Sequence, residues 1–148
     1  MAHGDLVGDA HAAVELDRLL ADEAAGVAHH HLGCRQRPTT LASGRFRSLE
    51  HRTTGTVRVV RLSNGSHVLR IEDLDTSNGP DLRVYLSELP SNLGWRDYGE
   101  RYIELGALKG NRGDQNYRIP TGTDLSRYKS LVIWCVRFKV GFGVAPLT

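Results

Sequence analysis

The chain has 148 residues, 40% hydrophobic and 24% charged, the balance of a soluble globular domain long enough to fold without disulfide staples. Its 19 basic and 17 acidic side chains are interspersed and leave a formal net charge of +2, with no like-charged block to suggest a nucleic-acid or membrane-surface partner. The longest apolar run, Leu131-Val132-Ile133-Trp134-Cys135-Val136, is strand-sized and far too short to span a bilayer, so no membrane insertion by this chain is expected.

Residues 1–40 differ in texture from the rest. They are rich in Ala, His, Asp and Glu and nearly free of β-branched residues. Val14, Leu16, Leu19 and Leu20 recur near the helical period, which predicts one helix over 10–25, opened by Asp9 or His11 and closed at Gly26. Residues 29–40 read as a linker. The start is acidic and lacks the basic region and apolar stretch of a secretory signal peptide. His31-Leu32-Gly33-Cys34 is similar to the end of a lipoprotein signal, but no apolar stretch precedes it. Either the chain is cytoplasmic or its natural targeting segment lies outside this numbering.

From Leu41 short strands alternate with turns. The first strand is expected over 42–49. A second follows over 54–62, where Val57, Val59 and Arg61 alternate with Thr56, Arg58 and Val60. Ser63-Asn64-Gly65-Ser66 contains Asn-Gly, a strong hairpin signal. The third strand, 67–74, sets Val68, Arg70 and Glu72 opposite Leu69, Ile71 and Asp73. A turn cluster over 75–80 leads to a fourth strand at 82–87. A loop over 88–100 precedes strands at 101–106 and 115–119, the second entered through a turn at 110–114. A single helical turn over 124–128 then leads to two last strands, 130–140 and 142–147. Eight short strands predict an all-β fold, an antiparallel β-sandwich or a barrel-like or jelly-roll variant, preceded by the short N-terminal helix. The expected organisation is a helical and linker segment, 1–40, and a β domain, 41–148.

Three stretches carry a resemblance. The first is Leu69-Arg70-Ile71-Glu72-Asp73-Leu74 with Asn78-Gly79-Pro80-Asp81-Leu82-Arg83-Val84-Tyr85-Leu86-Ser87. The second is Leu105-Gly106-Ala107-Leu108-Lys109-Gly110-Asn111-Arg112-Gly113-Asp114-Gln115-Asn116-Tyr117, and the third is Tyr128-Lys129-Ser130-Leu131-Val132-Ile133-Trp134-Cys135. In this order they resemble the DM-13 domain, over about 43–147 and not over 1–40. The resemblance implies a β-sandwich on secreted or membrane-anchored proteins, hence an extracytoplasmic setting. It also implies association with haem- or sugar-binding DOMON domains, and a proposed redox or electron-transfer role centred on Cys135 with an unidentified redox partner.

On the strand at 130–140, alternation gives Val132, Trp134, Val136, Phe138 and Val140 one wholly apolar face, expected to be the core. Leu131, Ile133, Cys135, Arg137 and Lys139 take the other. A cation such as Arg137 close to Cys135 would favour the thiolate of a reactive cysteine. The plainer alternative is a buried cysteine that packs as a small hydrophobe. Cys34 and Cys135 can be two separate thiols or one long-range disulfide, which an oxidising compartment permits.

Asp73, Asp75, Asn78 and Asp81 offer oxygen ligands to a hard cation such as calcium, though the EF-hand spacing is not met and tight turns select the same residues. Around Gly110, the residues Lys109, Asn111, Asp114, Gln115 and Asn116 read first as a structural loop, and otherwise as the polar end of a small-ligand pocket with Lys109 and Asp114 as handles. Trp95, Tyr98 and Tyr102 surround a Gly-containing loop, where aromatics can stack on a sugar or a flat cofactor or plug the sandwich. Haem would take Cys135 or a histidine as its axial ligand. His29-His30-His31 with Cys34 offers soft metal ligands but reads rather as solvated linker, and His51 and His67 read as surface residues. No nucleophile elbow, phosphate loop or dinucleotide fingerprint is present, so a hydrolytic enzyme is not expected. The competing functions are a redox module, a binding or adhesion module without chemistry, and a haem or metal carrier.

Overall fold

Alternating apolar residues build strands almost everywhere the sequence predicts them in the computed structural model, which describes residues 38–148. The strands are β1 (Thr39–Arg45), β2 (Arg47–Ser48), β3 (Thr54–Arg61), β4 (His67–Asp75), β5 (Leu82–Ser87), β6 (Tyr102–Ala107), β7 (Arg112–Ile119), β8 (Ser130–Cys135) and β9 (Val140–Pro146). They form two antiparallel sheets, one ordered β1-β3-β4-β7 and the other β2-β9-β8-β5-β6. The sheets stay separate, so the domain is a sandwich and not a closed barrel. The helix expected over 10–25, the following linker and Cys34 lie outside the described residues.

Between the sheets, Val57, Val59, Leu69, Ile71, Tyr117 and Ile119 of the four-stranded sheet meet Val84, Leu86, Leu131, Ile133, Cys135 and Phe142 of the five-stranded one. Each large aliphatic side chain in that layer is worth roughly 1.5–3 kcal/mol in apolar burial. The Asn-Gly hairpin forms as expected. Gly65 takes a φ of 88°, the Leu62 N–H donates to the Ser66 carbonyl at 2.8 Å, and Asn64 Oδ1 accepts from the Ser66 N–H at 2.9 Å. The helical turn expected over 124–128 is a 3-10 turn, Leu125–Arg127, capped by Asp124 Oδ1 accepting from the Ser126 N–H at 3.2 Å.

Two expectations are corrected. The strand expected over 42–49 is divided at Phe46, whose buried ring joins the core while the chain passes from one sheet to the other. The long strand expected over 130–140 ends at Cys135. Residues 136–139 are a turn, closed by the Lys139 N–H donating to the Cys135 carbonyl at 2.8 Å with Lys139 at a φ of 57°. Val136 and Phe138, assigned to the core on the single-strand reading, are exposed, Phe138 by 59%.

The face assignment is also reversed. Leu131, Ile133 and Cys135 point between the sheets, while Val132 and Trp134 point to the outer side of the five-stranded sheet. There Trp134, Val132, Tyr85, Tyr98 and Val144 form a second, smaller cluster, with Leu49, Leu89 and Leu93 packed against it. The loop expected over 88–100 supplies much of this cover. All six residues of β8 are buried, so its two faces are equally apolar and alternation alone does not say which one meets the other sheet. Among the described residues no helix is long and apolar enough to cross a membrane.

Candidate functional site

Cys135 is the last residue of a central strand, with β5 on one side and β9 on the other. Leu82, Cys135 and Val140 are register partners across the three strands, so their side chains stand in one row on the inner face. Among the described residues the sulfur has no disulfide partner, and it is 0% exposed. The strand end is held by the Val136 N–H donating to the Asp81 carbonyl at 2.9 Å. Arg137 lies exposed on the turn that follows. With the strand ending at Cys135, the shared strand face that linked Arg137 to the thiol in the sequence does not exist.

Leu82, the neighbour of Cys135, also lines a cleft of about 350 Å³ with Asn78, Asp81, Leu108, Lys109 and Asn111. The thiol therefore lies in the strand next to one wall of an open cleft. The polar groups of that cleft are largely engaged within the loop. Gln115 Oε1 accepts from the N–H groups of Lys109 (3.2 Å) and Gly110 (3.3 Å), and Gln115 Nε2 donates to the Gly110 carbonyl at 2.9 Å. The Tyr117 hydroxyl donates to Gln115 Oε1 at 2.6 Å and accepts from the Lys109 N–H at 2.8 Å. Burial pushes the Tyr117 phenol well above its ordinary pKa, so it stays a hydroxyl. Lys109 Nζ donates to the Asn116 carbonyl at 2.6 Å, and Asn111 Nδ2 to the Thr76 carbonyl at 3.0 Å.

Asp114 and Asn116 serve a different partner, the buried Arg70 on the outer face of the four-stranded sheet. Arg70 donates to Asp114 Oδ2 and Asn116 Oδ1, both at 3.3 Å, and to Glu72 Oε2 at 3.1 Å. Asp114 Oδ1 also accepts from the N–H of Asp73 at 2.8 Å, where β4 bulges and Asp73 adopts a φ of 54°. These side chains thus fasten the bulge to β7.

The oxygen ligands considered for calcium point to different partners. Asp75 pairs with Arg112 at 3.5 Å and Asp81 with Arg83 at 2.7 Å, while Asn78 and Asp81 border the cleft. Among the described residues no group of three His, Cys, Asp or Glu side chains converges as a metal site. His51 rests on the ring of Phe142, with centroids 4.1 Å apart.

The three aromatics around the loop separate. Trp95 is partly exposed beneath the Arg96 guanidinium, which lies 4.4 Å from the ring centroid. Tyr98 is fully buried, its hydroxyl donating to the Pro90 carbonyl at 2.6 Å and accepting from the Leu93 N–H at 3.1 Å. Tyr102 lies on β6 and stacks on Tyr85 with centroids 3.7 Å apart and planes 5° apart. Tyr85 in turn lies 6.1 Å from Trp134 at 21°. Burial, reinforced by the neighbouring Tyr102 phenol, holds the Tyr85 pKa far above the ordinary tyrosine range. Sequence reasoning missed this row. Its only signal is the recurrence of aromatics at outward-facing positions of three strands whose order a single sequence does not give.

No curated protein and no solved structure matches the chain. A family model described as electron transfer DM13 matches residues 45–147. The match spans most of the chain and contains all three motif stretches, and the two-sheet fold is the sandwich they imply, so the chain belongs to the electron transfer DM13 family.

Proposed function

We propose that this domain is an extracytoplasmic electron-transfer module whose redox group is the Cys135 thiol. The observation that carries the reading is the position of Cys135: inside the family-matched region, at the end of β8, next to a residue that lines an open cleft. A thiolate must reach a partner sulfur to exchange disulfides. In the closed fold this thiol is sealed from contact, so sulfur chemistry requires the β8–β9 end to open. Such gating protects a reduced thiol from adventitious oxidation while leaving it available to a partner that engages that end. The partner class is a redox protein or a small thiol–disulfide couple. The family resemblance supports the extracytoplasmic setting, and fractionation of cells that express the natural gene tests it: the protein is expected outside the cytoplasmic fraction.

The redox assignment is tested by voltammetry and by alkylation-based redox titration of a Cys34→Ser chain against its Cys34→Ser/Cys135→Ser counterpart. Loss of the redox signal in the second chain supports the thiol. An unchanged signal rejects it.

A further inference from the structure

A sealed thiol poses a physical problem for a protein of this family, because an electron must cross the protein wall even when no atom can. The outer face of the five-stranded sheet holds a path. Trp134 is the residue before Cys135, and its side chain emerges on the opposite face of the same strand. From there the rings run Trp134, Tyr85, Tyr102, with centroid separations of 6.1 and 3.7 Å. Register explains the row. Tyr85 pairs directly with Val132 on β8 and Ser87 pairs with Tyr102 on β6, so each aromatic contact is a diagonal one between adjacent strands, within reach of large rings. Exposure rises only at the end of the row. Trp134 and Tyr85 are buried, and Tyr102 opens to solvent with 37% exposure. Tryptophan and tyrosine are, with cysteine, the side chains most readily oxidised by one electron, and electron tunnelling falls steeply with distance, so successive rings in contact outrun one long step.

We infer that Trp134, Tyr85 and Tyr102 form a one-electron relay between the interior beside Cys135 and the surface at Tyr102. The partner is a one-electron, outer-sphere oxidant of the metal-complex class. At the surface it takes one electron from Tyr102. The Tyr102 O–H bond breaks, the proton goes to water, and a neutral tyrosyl radical remains. The radical moves inward when Tyr85 gives one electron and one proton to Tyr102, which becomes a phenol again. A further transfer moves one electron and the indole N–H proton from Trp134 to the Tyr85 radical, which becomes a phenol again and leaves a neutral tryptophanyl radical. A one-electron reductant of the same class, with one proton from water, returns the row to its starting state. The inference rests on the electron-transfer reading for its purpose, but it does not require Cys135 to be the terminal donor.

The test uses the whole chain carrying Trp95→Phe, which leaves Trp134 as its single tryptophan. Photogenerated tris(bipyridine)ruthenium(III) serves as the oxidant, and the tyrosyl and tryptophanyl absorption bands are followed in time. A tyrosyl signal that decays as a tryptophanyl signal grows is expected. Tyr85→Phe, which keeps the ring and removes the oxidisable hydroxyl, is expected to leave the radical on Tyr102 and abolish the tryptophanyl signal. Tyr102→Phe is expected to remove the early tyrosyl signal. A tryptophanyl signal undiminished in Tyr85→Phe overturns the relay. The same experiment with Cys135→Ser separates the two proposals. A relay that persists there stands whatever the thiol does, and a Cys135-dependent redox titration without any relay leaves the thiol reading intact and removes this one.

Discussion

Burial of Cys135 sets how fast it reacts. A Cys34→Ser chain leaves it as the only thiol. Its side chain lies between Leu82 and Val140 in a row that crosses three strands, so a reagent reaches the sulfur only when those neighbours part. Exposing the two flanking aliphatic side chains forfeits about 3–6 kcal/mol of burial. At about 1.4 kcal/mol per factor of ten, that opening slows the reaction by about 10²- to 10⁴-fold. The assay measures the rate of thionitrobenzoate release from an aromatic disulfide reagent, in native buffer and in denaturing urea at the same pH. In the native buffer the rate should rise with small additions of urea, because opening limits it. A native rate within about tenfold of the unfolded one would mean an opening energy below about 1.4 kcal/mol and refute the sealed-thiol reading.

Trp134→Ala removes the largest side chain of the outer cluster and is expected to cost about 3–5 kcal/mol in urea unfolding; a loss below about 1 kcal/mol would show that the loop does not cover that ring. Gly143→Ala places a methyl group 2.6 Å from Thr53 Cβ, and Thr53 is pinned by hydrogen bonds to the Phe142 carbonyl at 3.0 Å and Thr76 Oγ1 at 2.8 Å. A loss of about 1–3 kcal/mol in the same assay is expected, and a neutral outcome contradicts the contact. Burial raises the pKa of Tyr85, Tyr98 and Tyr117 above the unfolded tyrosine value. For such groups the neutral form is favoured by the fold, so their contribution is fully present below the unfolded value of about 10 and is lost as pH rises above it. Tyrosinate absorbance should therefore show these three ionising late and together with alkaline unfolding, and reversible ionisation of all five tyrosines near their unfolded value in the folded protein is the contrary result.

Where one face of a strand meets solvent, the sequence is legible. Val57 and Val59 in β3 and Leu69 and Ile71 in β4 lie on the inner face as their alternation requires, and the Asn-Gly hairpin between them sets the register. Legibility fails where both faces are covered. β8 presents apolar residues in both directions, so parity did not reveal that Cys135 lies in the main core and Trp134 beneath a loop. The turn at 136–139 was hidden because it contains no Gly, Pro or Asn, and Lys139 adopts the left-handed conformation instead. Of the residues singled out near Gly110, Gln115 bonds back to the Gly110 carbonyl and Asn111 to the Thr76 carbonyl. Asp114 and Asn116 turned to Arg70, a strand position whose burial on the outer face nothing in the sequence announces.

The proposed thiol route and the proposed ring route use opposite faces of β8, and they respond to opposite perturbations. Sulfur contact on the inner face depends on opening the hairpin end, so it should slow with every kilocalorie added to that end. The proposed ring path on the outer face needs no opening and rests on the stacked contact of Tyr85 and Tyr102. Lys139→Gly relieves the left-handed strain in the β8–β9 turn without touching either face. If it stabilises the hairpin, thiol reactivity falls while the radical signal is unchanged; Tyr85→Phe has the reverse effect. As proposed, the two routes would be separable, because burial gates sulfur contact on the inner face while the stacked rings on the outer face need no opening.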